Sequence, residues 1–130
     1  MQQNHFLGVG FFYLVIGLLL VAGAPYTPDW IDLWRYEPQS QWEIWRLLSG
    51  HFSHWSWGHW WTNLAAFSCF TLLYYRRLSV TELLALNAVL VLGNGVFLSL
   101  LYQREFYLGF SGLLYGWFFY GALKTWRQQT

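Results

Sequence analysis

Residues 51–63 read HFSHWSWGHWWTN. Three of the chain's four histidines fall here, ahead of Asn63, and the stretch runs directly into apolar sequence. His59 and Asn63 are four residues apart, so a helix places them on one face. Polar side chains at the mouth of a membrane helix are costly unless they find partners or do work. A second apolar segment opens on Gly109-Phe110-Ser111-Gly112. The fold turns on whether these two polar islands sit on neighbouring membrane helices.

Composition favours that. The 130 residues are 56% hydrophobic, 23% aromatic and 10% charged, against about 25% charged in soluble domains. The length suits a single domain, residues 1–130. A net charge of +1 gives no electrostatic case for nucleic acid. Cys69 is the only cysteine, so no intrachain disulfide forms. Lying inside an apolar run, it reads as a small buried residue.

Working outward, four apolar runs emerge: Phe6–Ala24, Trp57–Tyr75, Leu83–Tyr102 and Tyr107–Leu123. Each approaches the ~20 residues that a bilayer span needs. The expectation is an all-α polytopic membrane protein with four transmembrane helices. Ala22-Gly23-Ala24 mimics a signal-peptide cleavage site. However, no Lys or Arg precedes the run and Pro25 follows it, so a retained span is expected. The third run is interrupted by Asn87 and by Gly93-Asn94-Gly95.

Residues 25–56 form a Trp-rich loop. Thr27 is placed to cap a short helix with Pro28 at its first position. Trp30, Leu33 and Trp34 then share a face. Ser40 and Glu43 have capping-box spacing, which predicts a second short helix through Trp45 and Leu48. Indoles on one side and carboxylates on the other suit the membrane–water boundary.

Four spans put alternate loops on opposite sides. The N-terminus, Arg76-Arg77 and the tail with Lys124 and Arg127 share one side, with Glu82 as its acid. Arg35, Arg46 and Arg104 lie on the other, among five acids. The basic count favours the first side, with both termini, as cytoplasmic. His59, Asn63 and Ser111 then all lie near the outer face. At 1.5 Å per residue they sit roughly 3, 9 and 6 Å below the starts of their helices.

Gly112 and Gly116 have the small-xxx-small spacing that lets another helix come close. Ala65 and Ala66 give the second span a small surface beside Asn63, so close approach of these two spans would bring Ser111 toward His59 and Asn63. Glycines around Ser111 leave the backbone open to a substrate carbonyl. Free N–H groups in the first turn of a helix favour developing negative charge. A serine there, facing His and Asn donors, has parts of an acyl-transfer site. Each signal alone also has a plainer reading. Gly-x-Ser-Gly serves packing, Asn63 makes an interhelical hydrogen bond, and His51 and His54 fix an interfacial loop. His51, His54 and His59 could in principle hold a metal or haem, but no acidic or thiolate fourth ligand lies nearby.

Taken together, Trp45-Arg46, His54, His59-x-x-x-Asn63 and Gly109-x-Ser111-Gly112-x-x-x-Gly116 resemble the rhomboid intramembrane serine proteases. GHFSHWSWGHWWTNLAAF and GFSGLLYG look most like the bacterial rhombosortase branch. The resemblance covers roughly Trp45 to Gly121. It implies Ser111 as nucleophile, His59 and Asn63 as oxyanion stabilisers, and His54, Gly109 and Gly112 as supporting members of the motifs. It implies an integral protein of the bacterial inner membrane that cleaves membrane-anchored protein substrates. In this branch those carry C-terminal Gly-Gly sorting tails. No metal and no organic cofactor is implied. The family's general base is a histidine on a sixth span, whereas no histidine follows His59 here. The resemblance therefore implies a C-terminally incomplete chain, or else a short homologue that binds without cutting. Tyr115 stands where some relatives have a histidine, but a phenol of pKa about 10 is a poor base at neutral pH.

Overall fold

The fold is that of a computed structural model, which describes residues 2–37, 43–101 and 107–129. Six helices run through them: α1 (Gln2–Ala22), α2 (Pro28–Trp34), α3 (Arg46–Ser49), α4 (Trp57–Tyr74), α5 (Val80–Leu101) and α6 (Ser111–Gln129). The class is all-α, and the four long helices correspond to the four apolar runs.

Their ends have local causes. Ser56 caps α4, its hydroxyl accepting from the His59 N–H at 3.3 Å. Ser79 and Glu82 form a capping box at the start of α5. The Ser79 N–H reaches Glu82 at 2.8 Å, and the Glu82 N–H reaches the Ser79 hydroxyl at 3.2 Å. The helix then runs unbroken through both expected interruptions. Asn87 turns its amide back onto the Leu83 carbonyl at 2.7 Å. Gly95 makes room for Leu47 of α3, whose Cδ2 is 2.9 Å from where a Cβ would stand.

The last helix differs most from expectation. It opens at Ser111 instead of Tyr107, because Gly109 takes φ 124°, a conformation that side chains disfavour. Tyr107 is instead bridged to Tyr36 by backbone hydrogen bonds of 2.8 and 3.2 Å. Ser111 is therefore the first residue of its helix, rather than lying 6 Å inside it.

Trp117 of α6 is the centre of the core, with no exposed surface. Phe12 and Tyr13 of α1, Phe67 and Phe70 of α4, and Phe110 surround its indole. From α4 only the stripe Trp60, Asn63, Phe67 and Phe70 is buried, at the 3–4 residue spacing of one helix face. Cys69 falls off that stripe and is exposed, contrary to the buried reading. Leu72, Leu92 and Phe119 also face outward. Among the described residues, α5 over Val80–Leu98 is the helix long and apolar enough to cross a membrane by length and composition. Phe6–Ala22 of α1 is apolar but shorter.

The connection from α1 to α4 folds over one end of the bundle. Thr27 caps α2 as expected, accepting from Trp30 N–H at 3.1 Å, with Pro28 in the first turn. The last carbonyls of α1 are met by indoles: Trp30 Nε1 donates to Ala22 at 2.6 Å and Trp60 Nε1 to Leu20 at 2.8 Å. Buried Arg46 donates to the carbonyls of Asp32 and Arg35 and to the Glu43 carboxylate. The second short helix is α3 alone, and Ser40 of its expected capping box lies outside the described residues. Trp30, Trp45, Trp55 and Trp57 are exposed at this end, as an interfacial aromatic belt requires.

Candidate active site

Ser56 starts α4 so that His59 falls in its first turn and Asn63 one turn further on the same side. Gly109 starts α6 so that Ser111 is its first residue. The Gly109 N–H donates to the Gly50 carbonyl at 2.9 Å, which ties this turn to the loop above the bundle. Between α4 and α6 lies a cavity of about 410 Å³. His59, Thr62, Asn63, Ala66, Ser111, Leu114, Tyr115 and Phe118 line it.

The three residues expected at the reacting centre therefore share one cavity. Gly109 sets their closeness. The point where its Cβ would stand is 2.8 Å from His59 Cε1, 3.3 Å from His59 Nε2 and 3.8 Å from Ser111 Oγ. A side chain there would evict the imidazole. Asn63 is 5% exposed, and its Nδ2 has no hydrogen-bond partner. A buried amide donor left unpaired costs roughly 1–3 kcal/mol. It is thus available to an oxygen placed in the cavity.

The supporting residues take different places. His54 does not line the cavity. Its ring stands edge-on behind His59, with centroids 5.1 Å apart. Burial, and then the neighbouring His59 ring, lower the His54 pKa to about 4. The carbonyls of Gly23 and Phe52 oppose that fall without reaching hydrogen-bonding geometry. His51 is likewise lowered to about 4 by burial, and it packs edge-on against Tyr107. Both imidazoles are therefore neutral at pH 7. Among the described residues no three metal-binding side chains converge.

Gly112 does allow a close approach, but not to α4. A Cβ there would meet the Tyr107 hydroxyl at 2.4 Å and Asn94 of α5 at 3.2 Å. Gly116 similarly faces Leu90 of α5. The small-residue stripe therefore seats α6 on α5. The α4 contact is made instead by Phe67 and Phe70 on Trp117 and by Tyr74 on Gly121. Ala65 is exposed, and Ala66 lines the cavity.

Tyr107 was not foreseen. Its hydroxyl donates to the Gly109 carbonyl at 3.1 Å, and the Gly112 N–H faces the hydroxyl oxygen. Burial pushes this phenol up to about 12, with the Gly112 contact opposing. It remains a neutral strut under the serine turn. Arg46 was noticed only as half of Trp45-Arg46. The signal that marks it is a cation within a loop of indoles, a place it shares with Arg35.

A family model described as the rhomboid domain matches residues 41–130. The chain belongs to the rhomboid family. That family is one of helical membrane proteins and intramembrane serine proteases, so this rhomboid chain is an integral membrane protein. The matched residues include α3 to α6 and every residue that lines the cavity. No curated protein and no solved structure matches the chain.

Proposed function

We propose that this rhomboid is a serine endopeptidase that cleaves membrane-anchored protein substrates near the outer face of a bacterial inner membrane. In this reading residues 1–130 form one domain, α1, α4, α5 and α6 each cross the bilayer, and both termini are cytoplasmic. The observation that carries it is the shared cavity of Ser111, His59 and Asn63. Ser111 Oγ attacks the scissile carbonyl. The negative charge that develops on the carbonyl oxygen is met by the unpaired Asn63 amide and by His59, beside the open N-terminus of α6. His54 backs the His59 ring, and Gly109 and Gly112 let the turn close without side chains. The likeness of GHFSHWSWGHWWTNLAAF and GFSGLLYG to rhombosortases favours substrates with C-terminal Gly-Gly tails.

One imidazole, His59, lines the cavity. It can stabilise the oxyanion or accept the Ser111 proton, but not both at once. With His59 on the oxyanion, the proton acceptor comes from outside the lining residues. The same observation favours a second reading, a rhomboid-like membrane binder that holds substrates uncut.

Cleavage of a reconstituted membrane-anchored test substrate separates the two. The protease reading predicts product that disappears with Ser111→Ala, and faster cleavage when the substrate ends in the Gly-Gly tail. A folded chain that binds the substrate and leaves it intact establishes the binder. Equal cleavage of tailed and untailed substrates would remove the rhombosortase assignment alone.

A further inference from the structure

The other end of α4 carries a second built feature, independent of Ser111. The helix has 18 residues, or about 27 Å at 1.5 Å each. Its foot therefore lies about one hydrocarbon thickness from the site. A groove of about 430 Å³ opens there, lined by Thr71, Leu72, Leu73, Tyr75, Arg76 and Arg77. Its leucine wall faces outward, Leu72 at 85% exposure. Its polar end is lined by Arg76 and Arg77.

Both are pre-positioned by contacts that leave most of their donors unused. Arg76 lies over the Phe6 ring of α1, its Cζ 6.0 Å from the centroid. That ring is stacked on Tyr75, whose hydroxyl donates to the Phe6 carbonyl at 3.0 Å. Arg77 spends one N–H on Thr125 of α6 at 3.1 Å. Among the described residues neither arginine has a carboxylate partner. Glu82 is committed to Lys124, Tyr120 and Ser79. Two oriented guanidinium groups above an apolar wall, at headgroup depth, are complementary to one kind of molecule.

We propose that this groove binds an anionic diacyl phospholipid, its phosphate held by Arg76 and Arg77 and an acyl chain laid along Leu72 and Leu73. A basic side chain near the surface favours anionic lipid by about 5-fold, so the pair gives about 30-fold. The test is native mass spectrometry of the detergent-solubilised protein given equal phosphatidylglycerol and phosphatidylcholine. The expected result is preferential retention of phosphatidylglycerol. Each of R76Q and R77Q should cut the preference by about 5-fold and the double variant by about 30-fold. Both side chains are exposed, so circular dichroism and melting should match the parent. If the double variant melts early, the two single variants decide. Equal retention of the two lipids, or an unchanged preference in R76Q and R77Q, overturns the proposal. Millimolar inorganic phosphate should leave the lipid bound, and complete displacement by it would reduce the groove to a site for a free anion.

Discussion

At the Ser111 end of α4 and α6, His51, His54 and Asn63 are buried and uncharged, and atoms of each lack a hydrogen-bond partner. At the opposite end Glu82 is closed by Lys124, Tyr120 and Ser79, and Arg76 and Arg77 are exposed. Both ends hold polar groups, yet the buried ones at the Ser111 end carry unpaired atoms whereas the Glu82 carboxylate is fully engaged. Unsatisfied buried donors cost stability. Asn63, beside an open cavity, has a bond left to be completed by whatever enters. The Glu82 end ties α5 to α6 through Tyr120 and Lys124.

The most severe break of this contrast is at Gly23, under the Ser111-side loop. A Cβ there would stand 1.9 Å from the Phe52 carbonyl oxygen, which is backbone and cannot rotate away. Gly23→Ala should lower stability by more than about 4 kcal/mol, in the range of the rare severe substitutions. Gly93→Ala, which meets nothing within 4 Å, should instead gain up to about 1 kcal/mol from helix propensity. Thermal melts in one detergent compare the two.

Trp117 belongs to both ends, so Trp117→Ala should cost about 3–5 kcal/mol. Reporters placed at the two ends should still lose structure together. Separate transitions would mean that the ends fold independently.

Mild acid should act first on the Ser111 end. His51 and His54 are lowered from 6.5 to about 4 by burial. The unfolded chain therefore takes up protons first, and stability falls as pH drops from about 6.5 to 4. It is fully present above 6.5. A melting temperature that stays flat over that window would show that these imidazoles are not held neutral. The mildest change is Lys124→Met. Lys124 and Glu82 are each about a quarter to a third exposed (25% and 30%), and such pairs contribute about 0–1 kcal/mol. A melt shifted by more than that would give this end a larger structural share.

Much of this was legible in the chain. Period and length gave the long helices, and Thr27-Pro28 gave the start of α2. The four-residue spacing of His59 and Asn63, with the side assignment of Ser111, anticipated their meeting. What stayed hidden has physical reasons. Gly112-x-x-x-Gly116 announces a close neighbour without saying which, and α5 proved to be that neighbour. The apolar run from Tyr107 concealed a break that exists only because Gly109 turns to positive φ. Gly93-Asn94-Gly95 looked like an interruption, yet Gly95 is the seat of Leu47. Cys69 sits in a hydrophobic run but off the buried stripe of Trp60, Asn63, Phe67 and Phe70, on the outward face.

Reaction of the reconstituted chain with a serine-directed fluorophosphonate tests the meeting of Ser111, His59 and Asn63 most directly. The account predicts phosphonylation at Ser111, absent in Ser111→Ala and slowed about 10²- to 10³-fold in Asn63→Ala, the usual cost of one oxyanion donor. A folded chain in which Ser111 stays unmodified, or reacts equally fast without the Asn63 amide, would contradict it.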